Sequence, residues 1–300
     1  MQPAKCSIRG RRIHYPLEGL KGKKRSGFIF LSGRMCNYDC PHCLTDSGTN
    51  RREFAKPSTI VNILNNIKPL MKNESVFFTA ISGGEPFLNL DFLEESINRI
   101  MKISQQCSVP VPKIPIVTNG TISGIEIFKI LEPVKEKVLI YYSPDEFHPR
   151  PSGIPMFERY GFIVDSPGKG RKIAALGRAY GMENYHDWKM DCTAAGKTYE
   201  ISEGSARVSK TYIPSTSKFM VLENGDIKLC AWGGITFGNL ANESVFDIAE
   251  RLEKDEPALA LMENGPLGMA EVMGKLEAAV EILRIKGSCG VCHALKENLI

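Results

Sequence analysis

The sequence predicts an α/β protein, a mainly parallel sheet followed by a smaller α+β segment, and two observations carry that reading. From residue 27 to about 180, short runs rich in Ile, Val, Phe or Tyr alternate with longer helix-like stretches, which is the rhythm of βα units. Beyond about residue 185 the alternation gives way to a hairpin and two helices. The expected strands are 27–32, 75–81, 113–117, 137–142 and 160–164, with helices near 57–72, 89–106, 123–132 and 171–180. Pro57, Ser58 and Thr59 open the first helix with start residues. Residues 218–230 read as a hairpin, because Asn224-Gly225 supplies the positive φ angles of a tight turn. Two helices are expected near 243–254 and 267–286. In the second, Met269, Met273, Leu276, Val280 and Leu283 recur at helical spacing as core residues, and Gly287 is placed to end it. The stretch 193–217 is the best candidate for a linker. The expected organisation is a basic segment 1–26, an α/β domain 27–184 and a C-terminal domain 185–300.

With 43% hydrophobic and 24% charged residues the chain has an ordinary globular composition, which excludes collagen-like, coiled-coil and disordered architectures as its main form. No window approaches the ~20 apolar residues of a membrane span, and the basic N-terminus does not resemble a signal peptide, so a cytoplasmic location without membrane attachment is expected. The net charge of +4 conceals an asymmetry. Residues 1–25 hold eight Lys or Arg against Glu18, which makes this segment +7 and leaves the rest at −3. It reads as a solvated leader or as an anion-steering arm. Nine cysteines, an odd number, suit metal ligation better than disulfides in a reducing compartment.

Their spacing sharpens the point. Cys36, Cys40 and Cys43 lie within eight residues (CNYDCPHC), directly after the first expected strand. Three soft ligands on one tight loop bind three corners of a cubane cluster and leave the fourth iron open, whereas a structural zinc site closes with a fourth protein ligand. His42 sits too close to its neighbours to be a comfortable fourth ligand.

This segment resembles the C-x3-C-x2-C signature of the radical S-adenosylmethionine (radical SAM) superfamily, and later segments resemble the same family in the expected order. They are Gly83-Gly84-Glu85-Pro86 after the second strand, Thr118-Asn119-Gly120-Thr121 at the end of the third, and Ser143-Pro144-Asp145 with His148 after the fourth. The resemblance implies a partial (β/α)6 TIM-like barrel. It implies a [4Fe–4S] cluster on Cys36, Cys40 and Cys43 whose open iron binds S-adenosylmethionine, cleaved by one electron to a 5′-deoxyadenosyl radical. Tyr38, His42, Gly83, Gly84, Glu85, Pro86, Asn119, Ser143 and Asp145 are the implied cofactor-binding residues. Glu85 and nearby backbone carbonyls take the methionine amino group, and Ser143 and Asp145 the ribose. His148 is either a base facing the substrate or a structural histidine. Polar residues at the carboxyl ends of parallel strands are also where ligands bind in such folds on independent grounds.

Cys192, Cys230, Cys289 and Cys292 form a second candidate set that can close around a metal, and their spacing does not separate zinc from a [4Fe–4S] cluster. Gly177-Arg178-Ala179, the Asn-Gly-Asp hairpin and Phe237-Gly238-Asn239 resemble the auxiliary-cluster extension of the SPASM and twitch subgroups, which implies the cluster and a small C-terminal auxiliary domain. Cys6 and Cys107 remain outside both sets. The implied activity is hydrogen abstraction from a substrate C–H for oxidative modification, dehydrogenation or cross-linking, of a peptide. A flavodoxin or ferredoxin would be the reducing partner. The alternatives are an aminosugar or other small-metabolite dehydrogenase or epimerase and, in another class, a non-catalytic zinc or iron–sulfur module that binds nucleic acid, an unfavoured partner because it leaves the ordered motifs unexplained.

Overall fold

The computed structural model describes residues 15–142, 151–166, 175–182, 191–192, 195, 197–202, 205–211, 217–230 and 235–300. In chain order the first part comprises α1 (Tyr15–Leu20), β1 (Ser26–Leu31), α2 (Pro57–Lys72), β2 (Val76–Ser82), α3 (Leu90–Cys107), β3 (Ile114–Thr118), α4 (Ile125–Leu131), β4 (Val138–Tyr142), α5 (Ile154–Arg159) and β5 (Ile163–Asp165). A 3-10 turn at Gly177–Gly181 follows. The second part comprises β6 (Asp191–Cys192), β7 (Lys197–Ser202), β8 (Ser205–Thr211), β9 (Ser217–Val221), β10 (Asp226–Lys228), β11 (Thr236–Asn239), α6 (Val245–Leu252), α7 (Glu256–Val272) and α8 (Leu276–Lys296).

Eight strands form one open sheet in the order β11-β10-β9-β1-β2-β3-β4-β5, in which β9 and β1 to β5 are parallel. This is the expected α/β class, a parallel-dominant sheet that does not close. The amphipathic helices explain the layering: Ile60, Ile63, Leu64 and Ile67 recur on one face of α2 and are all buried in the main core. The β9–β10 hairpin turns at the expected Asn224-Gly225, yet it is not confined to the C-terminal part. β9 lies parallel to β1, with Phe219 opposite Phe28, both fully buried and their ring centroids 5.2 Å apart. The main sheet therefore draws strands from both sides of residues 184 and 185. A second core collects Tyr199, Leu261, Met269, Leu283 and Val291, and Phe237 packs against both cores.

Three expectations need correction. The stretch 193–217 is not a linker: β7 and β8 form an antiparallel hairpin within it, flanked by β6. The helix expected over 267–286 is two, because a turn ends α7 and the Met269–Leu283 stripe is divided between α7 and α8. In that turn Lys275 N–H donates to Ala270 O and Gly274 N–H to Glu271 O, the paired bonds that close a helix and reverse the chain. Only the 3-10 turn falls within the described portion of the helix expected at 171–180. Gly287 interrupts α8, as its placement suggested, but helix resumes beyond it. Among the described residues no helix is long and apolar enough to cross a membrane.

Replacing Phe219 by Ala removes a fully buried ring from the β1–β9 seam and is expected to cost about 3–5 kcal/mol of stability. Urea unfolding measures this directly, and a cost below 1 kcal/mol would show that the hairpin does not brace the sheet.

Candidate active site

The loop that follows β1 crosses the carboxyl end of the sheet and is pinned along its length. Arg34 N–H donates to Glu53 O at 2.8 Å, Gly48 N–H to Arg34 O at 3.0 Å and Cys36 N–H to Gly48 O at 3.1 Å. Asp39 accepts from the Thr49 hydroxyl and from Thr49 N–H, and these bonds hold its carboxyl below the usual range. From 138 residues away, Arg178 donates to Cys40 O through Nε (3.1 Å) and Nη2 (2.8 Å), while its own N–H reaches Cys43 O at 3.1 Å. Among the described residues no cysteine forms a disulfide. Cys43 Sγ accepts from Ser47 N–H at 3.2 Å, and Asn119 Nδ2 lies 3.8 Å from Cys36 Sγ. Burial raises the Cys36 thiol above its usual value.

The Gly-Gly-Glu-Pro segment meets this loop backbone to backbone. Gly84 N–H donates to Gly33 O at 2.9 Å and Glu85 N–H to Met35 O at 3.0 Å. A Cβ on Gly84 would sit 2.0 Å from Met35 O, so only glycine allows the approach. Pro86 opens a buried 3-10 turn, Pro86–Leu88. The Glu85 side chain turns inward. It is 1% exposed and accepts from the Thr118 hydroxyl (2.9 Å to each oxygen), Asn119 N–H (3.0 Å) and Phe87 N–H (3.2 Å), tying the end of β2 to the end of β3. Burial, opposed by these bonds, raises its pKa to about 7. The carboxyl group that the resemblance assigns to the cofactor's amino group is thus engaged by the protein.

Asn119 completes the cluster of motifs. Its Nδ2 donates to Asn37 Oδ1 at 2.7 Å, and Asn37 Nδ2 donates to the Thr121 hydroxyl at 2.9 Å. The structure therefore brings together Cys36, Cys40, Cys43, Tyr38, His42, Gly83, Gly84, Glu85, Pro86 and Asn119 at one end of the sheet. Ser143, Asp145 and His148 lie outside the described residues. Asn37, Thr118 and the hold of Arg178 on Cys40 were not anticipated. Asn37 lies inside the cysteine motif and was within reach of sequence reasoning, but the partner of Arg178 is too distant in the chain to leave a local signal.

The second cysteine set converges as well. Cys292 is buried, and burial together with Cys192, Cys289 and Cys230 nearby pushes its thiol well above the usual value. Cys192 and Cys292 share a core with Tyr199, with Cys230 packed against it. Cys289 packs with Leu176 and with Leu44, the residue after Cys43. Among the described residues no three His, Cys, Asp or Glu side chains are arranged to hold a single metal ion.

An open parallel sheet with three thiols on one loop over its carboxyl ends defines an α/β protein equipped to carry a cluster with one accessible iron. Residues 30–168 match the family model of the Radical SAM superfamily, and this segment is a radical SAM domain. The fold is similar to that of SuiB from Streptococcus suis bound to its precursor peptide SuiA (TM-score 0.54, 14% identity, covering 91% of this chain and 77% of that one). It is similar to anSMEcpe with bound AdoMet and Cp18Cys peptide (0.52, 14%, 91% and 95%) and to BtrN in complex with AdoMet and 2-DOIA (0.51, 14%, 81% and 89%). At this identity the likeness is one of fold. No curated protein matches the chain significantly. Radical SAM enzymes use S-adenosylmethionine and a [4Fe–4S] cluster, and the donor set fits the cluster: Cys36, Cys40 and Cys43, three thiols on one loop, would hold it.

Two measurements probe this architecture. The unfolded chain releases the Glu85 proton near 4.5 and the folded one near 7, so the folded state holds more protons in between. The Glu85 contribution is therefore full below 4.5, falls by about 3 kcal/mol as the pH rises to 7, and is constant above that. Urea midpoints of the cofactor-free Glu85→Gln variant are expected to lack this slope between pH 5 and 8, and equal slopes in variant and parent would refute it. Arg178→Lys replaces a flat two-point grip with a single point charge and is expected to cost the loop about 1.5–3 kcal/mol. Limited proteolysis within 37–46 should then be about tenfold faster, and an unchanged rate would remove Arg178 from the loop's support.

Proposed function

We propose that this radical SAM enzyme oxidatively modifies a peptide, with Cys36, Cys40 and Cys43 holding the cluster that cleaves S-adenosylmethionine and Cys192, Cys230, Cys289 and Cys292 holding an auxiliary [4Fe–4S] cluster. The observation that supports the reading is that Cys192, Cys230 and Cys289 all lie near enough to the buried Cys292 to raise its thiol, with Cys289 packed through Leu44 and Leu176 against the first loop. Four soft thiols in a closed, apolar setting suit such a cluster. Loaded with its cofactors, the site supplies a 5′-deoxyadenosyl radical and an outlet for the electron that substrate oxidation releases.

The chain's own residues do the positioning. Arg178 fixes the Cys40 carbonyl, Asn37 and Asn119 fix the edge of the loop at Cys36, and the backbone at Gly83 and Gly84, packed against Gly33 and Met35, would border the cofactor. Ser143 and Asp145 are proposed to face the ribose, with Tyr38 and His42 bordering the cofactor. Peptides are bound in two of the similar structures, SuiB and anSMEcpe, which supports the substrate class; a small metabolite such as an aminosugar is the competing class. A flavodoxin or ferredoxin is the proposed electron donor in a cytoplasmic setting.

Anaerobic reconstitution should give about eight irons per chain and reductive release of 5′-deoxyadenosine. Cys36→Ala is expected to abolish that release. Cys292→Ala should retain part of it while losing the modified peptide. Full product formation by the Cys292 variant would eliminate the auxiliary site from the mechanism.

A further inference from the structure

A cavity of about 350 Å³ lies between the segment that follows Cys43, the turn carrying Gly177 and Arg178, the β9–β10 hairpin and the end of α8. One part of its lining is apolar, formed by Leu31, Leu44, Leu176 and Leu222. The remainder carries four cations, Arg34, Arg178, Lys228 and Lys296, facing only two carboxylates, Asp46 and Glu297. Those carboxylates are committed, Asp46 to Arg51 and Arg178 and Glu297 to Lys296. Glu223, whose charge also acts on Lys228, is bonded to Arg34 at 2.8 Å.

Lys228 is left over. Among the described residues its ammonium makes no hydrogen bond or ion pair, and it lines the cavity together with Lys296 and Arg34. A half-buried ammonium facing other cations is costly to hold, and an anion in the cavity offsets that cost. A wall of four leucines beside the charges adds a second requirement: the anion should arrive on an aliphatic stem.

We propose that this cavity receives a carboxylate on an aliphatic stem, as in a glutamate side chain of the peptide substrate, with Lys228, Arg34 and Lys296 taking the charge and the leucines the methylenes. The assignment to a peptide rests on the function proposed above, whereas carboxylate binding does not.

Calorimetric titration of the reconstituted full-length protein with butyrate, acetate and inorganic phosphate at constant ionic strength tests it. Butyrate should bind saturably and about tenfold more tightly than acetate, from its two extra methylenes. Lys228→Met should weaken butyrate at least about tenfold, Lys228→Arg should retain it, and Lys254→Gln on the exposed surface should change nothing. No saturable binding, or equal binding by the Lys228→Met variant, would overturn the site and leave Lys228 as a counter-charge to the neighbouring thiolates. Phosphate binding without butyrate binding overturns the carboxylate assignment, and loss of butyrate binding on saturation with S-adenosylhomocysteine reassigns the cations to the cofactor. Butyrate binding without 5′-deoxyadenosine release would sink the proposed reaction but not this site; release without butyrate binding would do the reverse.

Discussion

The carboxyl end of the sheet depends on a short contact between two pieces of backbone, the Gly33–Met35 carbonyls and the N–H groups of Gly84 and Glu85. Side chains cannot substitute for it, because any Cβ at Gly84 would collide with Met35 O. Once the two segments meet, the cysteine loop leaves β1 in one direction only, and Glu85 is carried into the protein toward β3. There its carboxyl group gathers a hydroxyl and two backbone N–H groups, so that three successive strand ends are fixed by one glycine contact and one buried acid. An acid so placed is expensive to desolvate and is retained at functional sites when the bonds it receives offset part of that cost. Here it holds the third strand end, with Asn119, against the loop that carries Cys36.

The other edge of the sheet extends this order to the C-terminal third. Because β9 pairs with β1 in parallel, the hairpin end at Leu222 and Glu223 emerges on the same side as the cysteine loop, and Arg34 joins the two through Glu223. Two residues past β10 stands Cys230. Leu44, the residue after Cys43, and Leu176 pack against Cys289 and so join the two cysteine groups through apolar side chains. The two cysteine groups thus meet through Leu44 and Leu176, and the β1–β9 pairing brings the hairpin that leads to Cys230 up to the first loop.

Local chemistry made much of this legible in the sequence. The alternation of apolar runs located the first four strands to within a residue or so, and Asn224-Gly225 located the hairpin turn, because strand patterning and turn residues act over short distances. The cysteine, Gly-Gly-Glu-Pro and Thr-Asn-Gly-Thr motifs meet in space because each terminates a neighbouring strand. What escaped depended on tertiary partners. The β7–β8 hairpin is polar and short, so its residues read as a loop. The stripe from Met269 to Leu283 keeps helical spacing across a turn, so periodicity could not reveal the break. Nothing near Arg178 signals Cys40, and the inward turn of Glu85 is set by Thr118 and Asn119 on another strand.

The interruption inside α7 shows how such a break is stabilised. At Gly265 the backbone leaves helical geometry with φ at 74°, and the carbonyl of Asn264 beside the break takes its donor from another element. Tyr199, from the small sheet, supplies its hydroxyl at 2.6 Å. The fit is exclusive, because a Cβ at Gly265 would lie 1.8 Å from that hydroxyl oxygen, with Cys192 beside it. The same tyrosine thus satisfies the broken helix, joins β7 to α7 and packs in the core of Cys192 and Cys292. A strand that reads as linker is what secures the last helices beside the second thiol set. Tyr199 thus ties the polar, weakly patterned β7–β8 hairpin to the last helices.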